Sequence, residues 1–193
     1  MKGRGVCAKI ILSPPPVEGK FQTVKRMVEQ KQMRIKPWVS DAVEVRKSGM
    51  EGKGVYAVRD IKEGEVIGVF GGIVIPEEEM EKLARTVPEE KLCIDHAMYI
   101  YPGFIMLHDY ENGCDPLCFV NHSCDPSSKV VNGIVLMACR DISFDEEISW
   151  NYKETDDVGN WNYEFKCRCG SPNCMGMVQV GPKYREKVAV VSN

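Results

Sequence analysis

Three cysteines lie within eight residues near the end of the chain, and this cluster restricts the possible folds more than any other feature. Residues 167–174 read CRCGSPNC, three thiols among turn-forming residues. Structural zinc needs four thiolate or imidazole ligands arranged as a tetrahedron, and residues 175–193 contain neither cysteine nor histidine. The fourth ligand must therefore come from upstream, so this segment is expected to fold back onto the body of the protein. Cys124 is a good candidate for that ligand.

Cys124 lies in a dense polar segment. Residues 121–126 read NHSCDP and follow the apolar run at 117–120. Proline fixes its own φ and restricts the residue before it, so the Asp-Pro pair predicts a turn where a buried strand ends. On its own, the segment is more typical of an ordinary loop with one buried cysteine. The thiols near the C-terminus favour the metal-binding interpretation.

The composition is that of a globular protein. The chain has 193 residues, enough for one domain with an appendage or for two small ones, and 44% of them are hydrophobic and 27% charged. No stretch approaches about 18 apolar residues, so no membrane span is predicted, and the N-terminus makes a poor signal peptide. Nine cysteines, an odd number, fit a reducing compartment with some thiols on metal better than a set of disulfides.

The charge is unevenly distributed along the chain. Residues 1–38 carry nine lysines or arginines and two glutamates, a net charge of +7, so the remainder carries −10 within the total of −3. A basic arm on an acidic body is a candidate for contact with nucleic acid, and an acidic body suits a basic substrate. A solvated helix face explains the basic residues equally well.

Within this arm, residues 18–36 are predicted to form a helix that ends before Pro37. One face of that helix would be largely apolar and would present Phe21, Val24, Val28, Gln32 and Ile35.

From Ala42 onward the pattern is that of short strands. Apolar stretches of strand length recur at 43–45, 55–58, 66–75, 99–101, 104–107, 130–131 and 134–139. The acidic residues 77–79 after Pro76 predict the start of a short helix. Asn132-Gly133 between two apolar runs is the strongest short signal for a β-hairpin.

Two stretches of this region resemble each other. Residues 57–67 read AVRDIKEGEVI and residues 138–148 read ACRDISFDEEI, so six of eleven positions are identical. Both predict a strand, a turn and a second strand. Two such units favour a body of short paired strands, mainly β with few short helices, and they are too few for a solenoid or a propeller.

Two further motifs are weak by themselves. Gly52-Lys53-Gly54 precedes a strand, and glycines allow a backbone to approach a ligand closely, but a simple hairpin turn is the commoner explanation. Residues 147–152 read EISWNY and end the last strand pair with an aromatic ring, an amide and a phenol. Such a tyrosine is usually a core residue with its hydroxyl satisfied at the rim.

Taken in order along the chain, these motifs resemble the SET-domain protein-lysine N-methyltransferase family with a post-SET zinc segment. The matching pieces are GKGVYA at 52–57, FGG at 70–72, FVNHSCDP at 119–126, EISWNY at 147–152 and C-x-C-x4-C-x-G at 167–176. Together they organise residues 42–177, roughly seven-tenths of the chain.

The resemblance implies a fold and a division of the chain. Residues 42–153 would form a SET domain, a β-clip-like arrangement of short sheets with a knot-like core in which two segments thread past each other. Residues 1–38 would be a basic N-terminal arm with a helix. Residues 163–179 would be a post-SET segment bound to zinc that closes one wall of the cofactor pocket.

The resemblance also implies roles for individual residues. The cofactor S-adenosylmethionine would be bound by Gly52, Lys53, Gly54, Val55, Asn121 and His122. The catalytic tyrosine would be Tyr152, and the aromatic walls beside it would be Phe70 and Trp150. About one structural zinc ion per chain would be held by Cys124, Cys167, Cys169 and Cys174.

Four positions depart from the family pattern. Phe70 stands where tyrosine is common, and Trp150 is bulkier than the usual Phe or Tyr that sets how many methyl groups fit. Trp150 would either block higher methylation or turn away and open room. Asn151 stands where Asp is usual, and Cys118 where Arg is usual. The cysteines without a role, interpreted as free thiols, are Cys93, Cys114, Cys118 and Cys139.

Two functions therefore follow from the resemblance. The first is an active methyltransferase whose substrate is a lysine in a histone tail or another basic protein, by family analogy. The alternative is a non-catalytic SET module that binds chromatin or a protein partner, with the basic arm as its tether. Either would be intracellular, in the nucleus or on chromatin if the organism is eukaryotic, with possible nucleic-acid contact through residues 20–36 and no membrane contact.

Overall fold

The computed structural model describes residues 33–50, 52–80, 97–107, 115–156 and 163–181. Residues 1–32 of the basic arm, with most of the predicted N-terminal helix, lie outside the described residues, as do Cys93 and Cys114. Within the described part, the structure is almost entirely β with a few short helical pieces, as the sequence predicts. No helix in that part is both long and apolar enough to cross a bilayer.

The described residues form fourteen short strands. In chain order they are β1 (Met33–Ile35), β2 (Trp38–Val39), β3 (Val43–Lys47), β4 (Lys53–Ala57), β5 (Val66–Val69), β6 (Gly72–Pro76), β7 (Met98–Tyr101), β8 (Phe104–Leu107), β9 (Asn121–His122), β10 (Ser128–Val131), β11 (Val135–Ala138), β12 (Glu147–Trp150), β13 (Tyr163–Lys166) and β14 (Met177–Val180). The helical pieces are residues 77–80, the 3₁₀ turn Pro116–Phe119 and the α-helical turn Lys153–Asp156. The short helix expected after Pro76 is thus confirmed.

In this part of the chain the strands assemble into three four-stranded sheets and a two-stranded ribbon. The sheet orders are β1-β6-β8-β7, β10-β11-β5-β2 and β3-β4-β12-β9, and β13 pairs with β14. β9 and β12 run parallel, with Ser149 opposite Asn121 and Trp150 opposite His122. The NHSCDP and EISWNY segments therefore lie side by side although they are distant in sequence, and this junction positions the candidate site.

Three apolar clusters hold these sheets together. The largest joins all three four-stranded sheets and includes Ile67, Leu136 and Ile148, each almost fully buried. A second packs under the β7–β8 hairpin around Ile105. The third lies at the C-terminal ribbon, where Val178 is buried beside the cysteines. Burial of apolar area is the main stabilising term in such short-stranded sheets.

The two similar stretches of sequence pair with each other in space. Ile61 and Ile142 occupy equivalent places in the two stretches, and each donates its N–H to the carbonyl of the other at 2.9 Å. Asp60 accepts a backbone N–H from the turn of the second stretch at 2.8 Å, and Asp141 accepts one from the turn of the first at 3.0 Å. The strand-turn-strand prediction is confirmed, and the two copies form a reciprocal, nearly two-fold pair.

The predicted hairpin at Asn132-Gly133 is also confirmed. β10 and β11 pair antiparallel on either side of it. Asn132 has a φ of 52° and Gly133 a φ of 74°, and positive φ at both central residues is the requirement of a type I′ turn. A Cβ added at Gly133 would lie 2.1 Å from the Ile100 carbonyl oxygen, so the turn packs tightly against β7.

The predicted N-terminal helix is wrong at its C-terminal end. Residues 33–35, which the apolar period assigned to the helix, form β1 and pair antiparallel with residues 72–74 of β6. Lys36 precedes Pro37, and a proline ring disfavours the helical conformation for the residue before it. Pairing with the edge of β6 supplies the backbone hydrogen bonds that a helix would otherwise have made.

Candidate active site and metal centre

The glycine loop approaches a carboxylate so closely that a side chain at position 54 would have to displace it. Gly52 has a φ of 55°, in the left-handed region that favours glycine. A Cβ on Gly54 would lie 2.2 Å from Glu147 Oε1. Val55, the next residue of β4, has no exposed surface and anchors the loop in the core. The Lys53 ammonium lies over the Phe119 ring at 4.9 Å, a cation–π contact between the loop and the residues that precede the polar segment.

Asn121 joins the polar segment to this loop. Its Nδ2 lies within hydrogen-bonding distance of three acceptors, the Lys53 carbonyl oxygen at 3.0 Å, Ser48 Oγ at 3.1 Å and Glu147 Oε1 at 2.7 Å. Asn121 is half-buried, and its strand β9 is fixed by parallel pairing with β12. The structure therefore brings together the sequence-predicted residues 52–55 and Asn121.

The carboxylate of Glu147 is the common acceptor of a small polar cluster. Ser48 Oγ donates to it at 2.7 and 3.0 Å, and the Tyr56 hydroxyl donates at 2.8 Å. Burial, followed by the hydrogen bond to Glu147, raises the pKa of Tyr56, so this hydroxyl stays protonated and a donor. Sequence reasoning assigned no role to these three residues. Glu147 opens the EISWNY motif and Tyr56 lies within the GKGVYA motif, whereas no motif includes Ser48.

His122 is buried between β12 and the C-terminal ribbon. Its Nδ1 accepts the backbone N–H of Tyr152 at 3.2 Å, and its Nε2 lies 3.5 Å from Cys124 Sγ. Its ring also packs edge-on against Tyr152 and Phe165. Burial lowers the pKa of His122 to about 4, so the imidazole is neutral at physiological pH. His122 thus ties together the two parallel strands and the cysteine cluster.

Aromatic rings line the other side of this junction. Trp150 packs against Phe70 with ring centroids 5.9 Å apart and against Tyr152 at 5.0 Å. Phe70 and Trp150 are 3% and 6% exposed, so neither ring turns out to solvent. Phe165, which lies on β13 of the C-terminal ribbon, packs against Tyr152 with ring centroids 6.0 Å apart. The structure thus brings together all three sequence-predicted aromatic residues and adds Phe165, which sequence reasoning missed.

Tyr152 is held with its hydroxyl at the end of the apolar run that precedes Asn121. The hydroxyl donates to the Val120 carbonyl oxygen at 3.0 Å. The backbone N–H of Tyr152 donates to His122 Nδ1, so both ends of the residue are fixed by the 120–122 segment. A phenol oriented in this way, beside buried aromatic rings, can align and desolvate a reacting group.

The four sequence-predicted metal ligands converge. The sulfurs of Cys124, Cys167, Cys169 and Cys174 all lie within 4.8 Å of one another. Cys124 Sγ and Cys167 Sγ are 3.7 Å apart. Four sulfurs at about 2.3 Å from a zinc ion are separated by roughly 3.8 Å, so this donor set fits a closed tetrahedral zinc site.

The thiols differ in acidity because their surroundings differ. Burial raises the pKa of Cys167 and of Cys124. Burial also acts to raise the pKa of Cys169, but backbone N–H groups of Cys124 and Ser171 and the neighbouring thiols lower it to about 6. A thiolate is the form that binds metal. Outside the cluster, Cys139 is in no disulfide among the described residues, as predicted.

The cysteine cluster fastens the C-terminal ribbon against the aromatic rings. Cys124, Cys169, Cys174 and Phe165 all pack around the buried core of that ribbon. The Cys167 N–H donates to the Gly176 carbonyl oxygen at 2.9 Å, which closes the loop that carries the thiols. The segment therefore folds back on the body, as the thiol count requires.

Comparisons with known proteins identify the domain. A family model for the SET domain matches residues 52–153. The chain is 35% identical over 153 residues to a variant-silencing SET domain-containing protein of Plasmodium falciparum, covering 72% of this chain and 6% of that protein. It is 30% identical over 148 residues to the human histone-lysine N-methyltransferase, H3 lysine-36 specific, covering 73% of this chain and 5% of that protein. The chain thus spans about a twentieth of the length of these relatives.

A solved structure shares the fold. The methyltransferase domain of the human histone-lysine N-methyltransferase SETMAR superposes with a TM-score of 0.56 at 17% identity, covering 74% of this chain and 60% of that one. The SET-domain model also matches more than half of the chain, including the glycine loop, the polar segment and the final tyrosine. This chain therefore belongs to the SET-domain family, together with proteins named histone-lysine methyltransferases.

Proposed function

We propose that this protein is an S-adenosylmethionine-dependent protein-lysine N-methyltransferase. The observation that carries the proposal is the position of Tyr152, whose ring packs against Trp150 while its hydroxyl and its N–H are held by residues 120–122. One junction thus combines an oriented phenol, buried aromatic walls and the polar residues that lead to the glycine loop. A methyl transfer to an amine needs these parts and no metal at the reacting atoms.

The cofactor residues are proposed to be Gly52, Lys53, Gly54, Val55, Asn121 and His122. S-adenosylmethionine, when bound, supplies a methyl group already activated on a sulfonium. The loop offers backbone groups at close approach, because glycine at 52 and 54 leaves them uncovered. Asn121 offers an amide beside that loop. His122, neutral and buried, keeps the strand that carries Asn121 in place.

The catalytic residues are proposed to be Tyr152, Phe70 and Trp150. A lysine ammonium, with an ordinary pKa of about 10.4, must lose its proton before it attacks. Buried aromatic walls disfavour its charged form by desolvation, so the proton would pass to solvent water as the side chain enters the site. The Tyr152 hydroxyl would then orient the neutral amine toward the methyl donor, and alignment of this kind supplies most of the acceleration. The same rings suit the methylammonium product through cation–π attraction.

Zinc is proposed to be structural, about one ion per chain, held by Cys124, Cys167, Cys169 and Cys174. Four thiolates leave no open position for water or substrate, so the ion would serve stability rather than chemistry. Its contribution to the site would be to hold Phe165 against Tyr152 and His122.

The substrate is proposed to be a lysine in a histone tail or another basic protein. The human relative named above is a histone-lysine N-methyltransferase, and the chain outside residues 1–38 carries a net charge of −10, which suits a basic partner. A role in the nucleus or on chromatin and contact of the basic arm with nucleic acid belong to the same proposal.

Transfer of a radiolabelled methyl group tests the function. The wild-type protein and a Tyr152→Phe variant are incubated with labelled S-adenosylmethionine and either purified histones or a protein extract. Label is expected on protein with the wild type and at least about 100-fold less with the variant, because the amine loses its orienting hydroxyl.

Two other outcomes would each reject part of the proposal. Equal label with both proteins would remove Tyr152 from the mechanism. No label with either protein would favour the non-catalytic SET module, which calorimetry with S-adenosylmethionine and salt-dependent nucleic-acid binding would then examine.

A further inference from the structure

The polar cluster beside the glycine loop has a role that the motifs do not give it. The cluster consists of Ser48, Tyr56, Glu147 and the amide of Asn121. Ser48 lies outside the residues matched by the SET-domain model, which begin at residue 52. All four side chains are joined by hydrogen bonds of 2.7 to 3.1 Å centred on the Glu147 carboxylate.

The cluster fixes which way the Asn121 amide faces. An asparagine amide has one end that donates and one that accepts, and reversal exchanges them at little steric cost. Here Nδ2 faces three acceptors, Glu147 Oε1, Ser48 Oγ and the Lys53 carbonyl oxygen. Reversal would set the Asn121 carbonyl oxygen against an ionised carboxylate, so the observed orientation is strongly favoured.

The opposite end of the amide is left open. Among the described residues, none donates a hydrogen bond to Asn121 Oδ1. The side chain is only half-buried, so this oxygen is accessible. An open carbonyl oxygen accepts a donor and repels a carboxylate. Of the two charged groups at the amino-acid end of S-adenosylmethionine, only the ammonium is a donor, so the ammonium is the group that suits Asn121.

The hydroxyls hold the carboxylate itself. The Ser48 hydroxyl donates to both carboxylate oxygens of Glu147. The hydroxyl of Tyr56, which lies opposite Glu147 on β4, donates to Oε2. The ion pairs in the described part of the chain do not include Glu147. Its negative charge therefore lies beside the glycine loop balanced by donors alone, which also favours a cationic group nearby.

We infer that Glu147 and Ser48 are positioning residues that fix the Asn121 amide with its carbonyl oxygen outward, so that it accepts the ammonium of the methyl donor. This inference rests on the proposed function, since it takes S-adenosylmethionine as the ligand. Tyr56 supports the same carboxylate. None of the three needs to touch the ligand.

Binding of S-adenosylmethionine, measured by calorimetry, tests the inference without turnover. Glu147→Gln keeps the length of the side chain but replaces one acceptor oxygen with a donor, so the Asn121 amide is no longer held one way. We expect the Kd for S-adenosylmethionine to rise about tenfold in Glu147→Gln and to rise less in Ser48→Ala. In assays with substrate, the KM for the cofactor should rise while kcat changes little.

A double-mutant cycle separates positioning from a structural or direct role. In an Asn121→Ala background, Glu147→Gln and Ser48→Ala should have no further effect on Kd, because the amide on which they act is gone. Glu44→Gln is the matched control, since Glu44 is a carboxylate on β3 opposite Tyr56 and pairs with Arg46 instead. The melting temperature of each variant checks folding, and Ser48→Ala decides if Glu147→Gln does not fold.

The outcomes distinguish this inference from the proposed function. A wild-type protein that binds no S-adenosylmethionine would overturn both. A wild-type protein that binds it, with Glu147→Gln and Ser48→Ala binding equally well, would overturn the positioning role alone. If Glu147→Gln lowers the affinity for S-adenosylmethionine by the same factor in the Asn121→Ala background, the positioning role is also overturned. Glu147 would then act independently of the Asn121 amide.

Discussion

Trp150 fills space that a smaller ring would leave open. Its side chain is 6% exposed and packs between Phe70 and Tyr152. Of the two possibilities for this bulky residue, blocking the site or turning away from it, the packing favours the first. Because the rings pack closely, little space is left beside them for additional methyl groups on a bound amine. In the proposed reaction, the identity of residue 150 should therefore limit how many methyl groups the target lysine can carry.

Trp150→Phe should raise the number of methyl groups added. The smaller ring vacates room beside Tyr152, and we expect the dominant product to gain one methyl group, at a cost of about 1–2 kcal/mol in stability. Mass spectrometry of the methylated substrate at several reaction times measures the distribution.

The control is Trp38→Phe, which removes the same atoms at a position outside the candidate site. Trp38 lies on β2 and is 52% exposed. An unchanged product distribution with Trp150→Phe would show that residue 150 does not set the available room.

At the scale of elements, local turn chemistry decides which strands could be predicted. Asn132-Gly133 marks a hairpin whose turn depends on positive φ at both residues, so the sequence identifies it directly. The predicted end of the N-terminal helix is wrong because residues 33–35 continue a helical period, whereas pairing with β6 decides their structure. A partner strand some 40 residues away leaves no trace in a local pattern.

Gly133→Ala should destabilise the protein more than Gly103→Ala does. Both glycines have positive φ, 74° and 82°, so the backbone strain of the two substitutions is similar. A Cβ at Gly133 would lie 2.1 Å from the Ile100 carbonyl oxygen, whereas a Cβ at Gly103 would have no atom within 4 Å beyond its chain neighbours. We expect a loss of about 1 kcal/mol for Gly103→Ala and about 3 kcal/mol for Gly133→Ala.

Denaturant titration of the two glycine variants measures this difference. Equal losses would mean that the turn moves away from β7 at no cost, which would contradict the tight packing between them.

At the scale of the whole molecule, the ribbon that carries three thiols is part of the candidate site rather than an appendage. Phe165 contacts both Tyr152 and His122, and Cys124 follows His122 by two residues. The thiol count predicted this return of the chain, because three ligands require a fourth. The contact of Phe165 could not be predicted, since nothing in its local sequence distinguishes it from an ordinary core residue. The Ser48–Glu147 cluster was missed for the same reason.

Loss of one thiol should therefore weaken cofactor binding as well as stability. Metal analysis of wild type is expected to find about one zinc per chain, and Cys124→Ser should release it as readily as Cys174→Ser does. In both variants, as in a chain truncated at Phe165, affinity for S-adenosylmethionine should fall at least about tenfold.

Cys139→Ser is the control for the thiol variants, because Cys139 is a partly buried free thiol outside the cluster. A Cys124→Ser protein with full zinc would contradict the ligand assignment. A metal-free protein with unchanged cofactor affinity would contradict the link between ribbon and site.

The distance along the chain between Cys124 and its partners has a consequence for synthesis. A ribosome makes the chain from its N-terminus, and all the strands up to β12 emerge before Cys167, Cys169 and Cys174. Phe165 lies on β13, and the ribbon that holds it forms only when β14 has also emerged. Until then, Tyr152 and His122 lack contact with the Phe165 ring, and Cys124 lacks the other three thiols of its cluster. The nascent protein can thus pair its sheets early, yet it completes the candidate site only after β14 has been made.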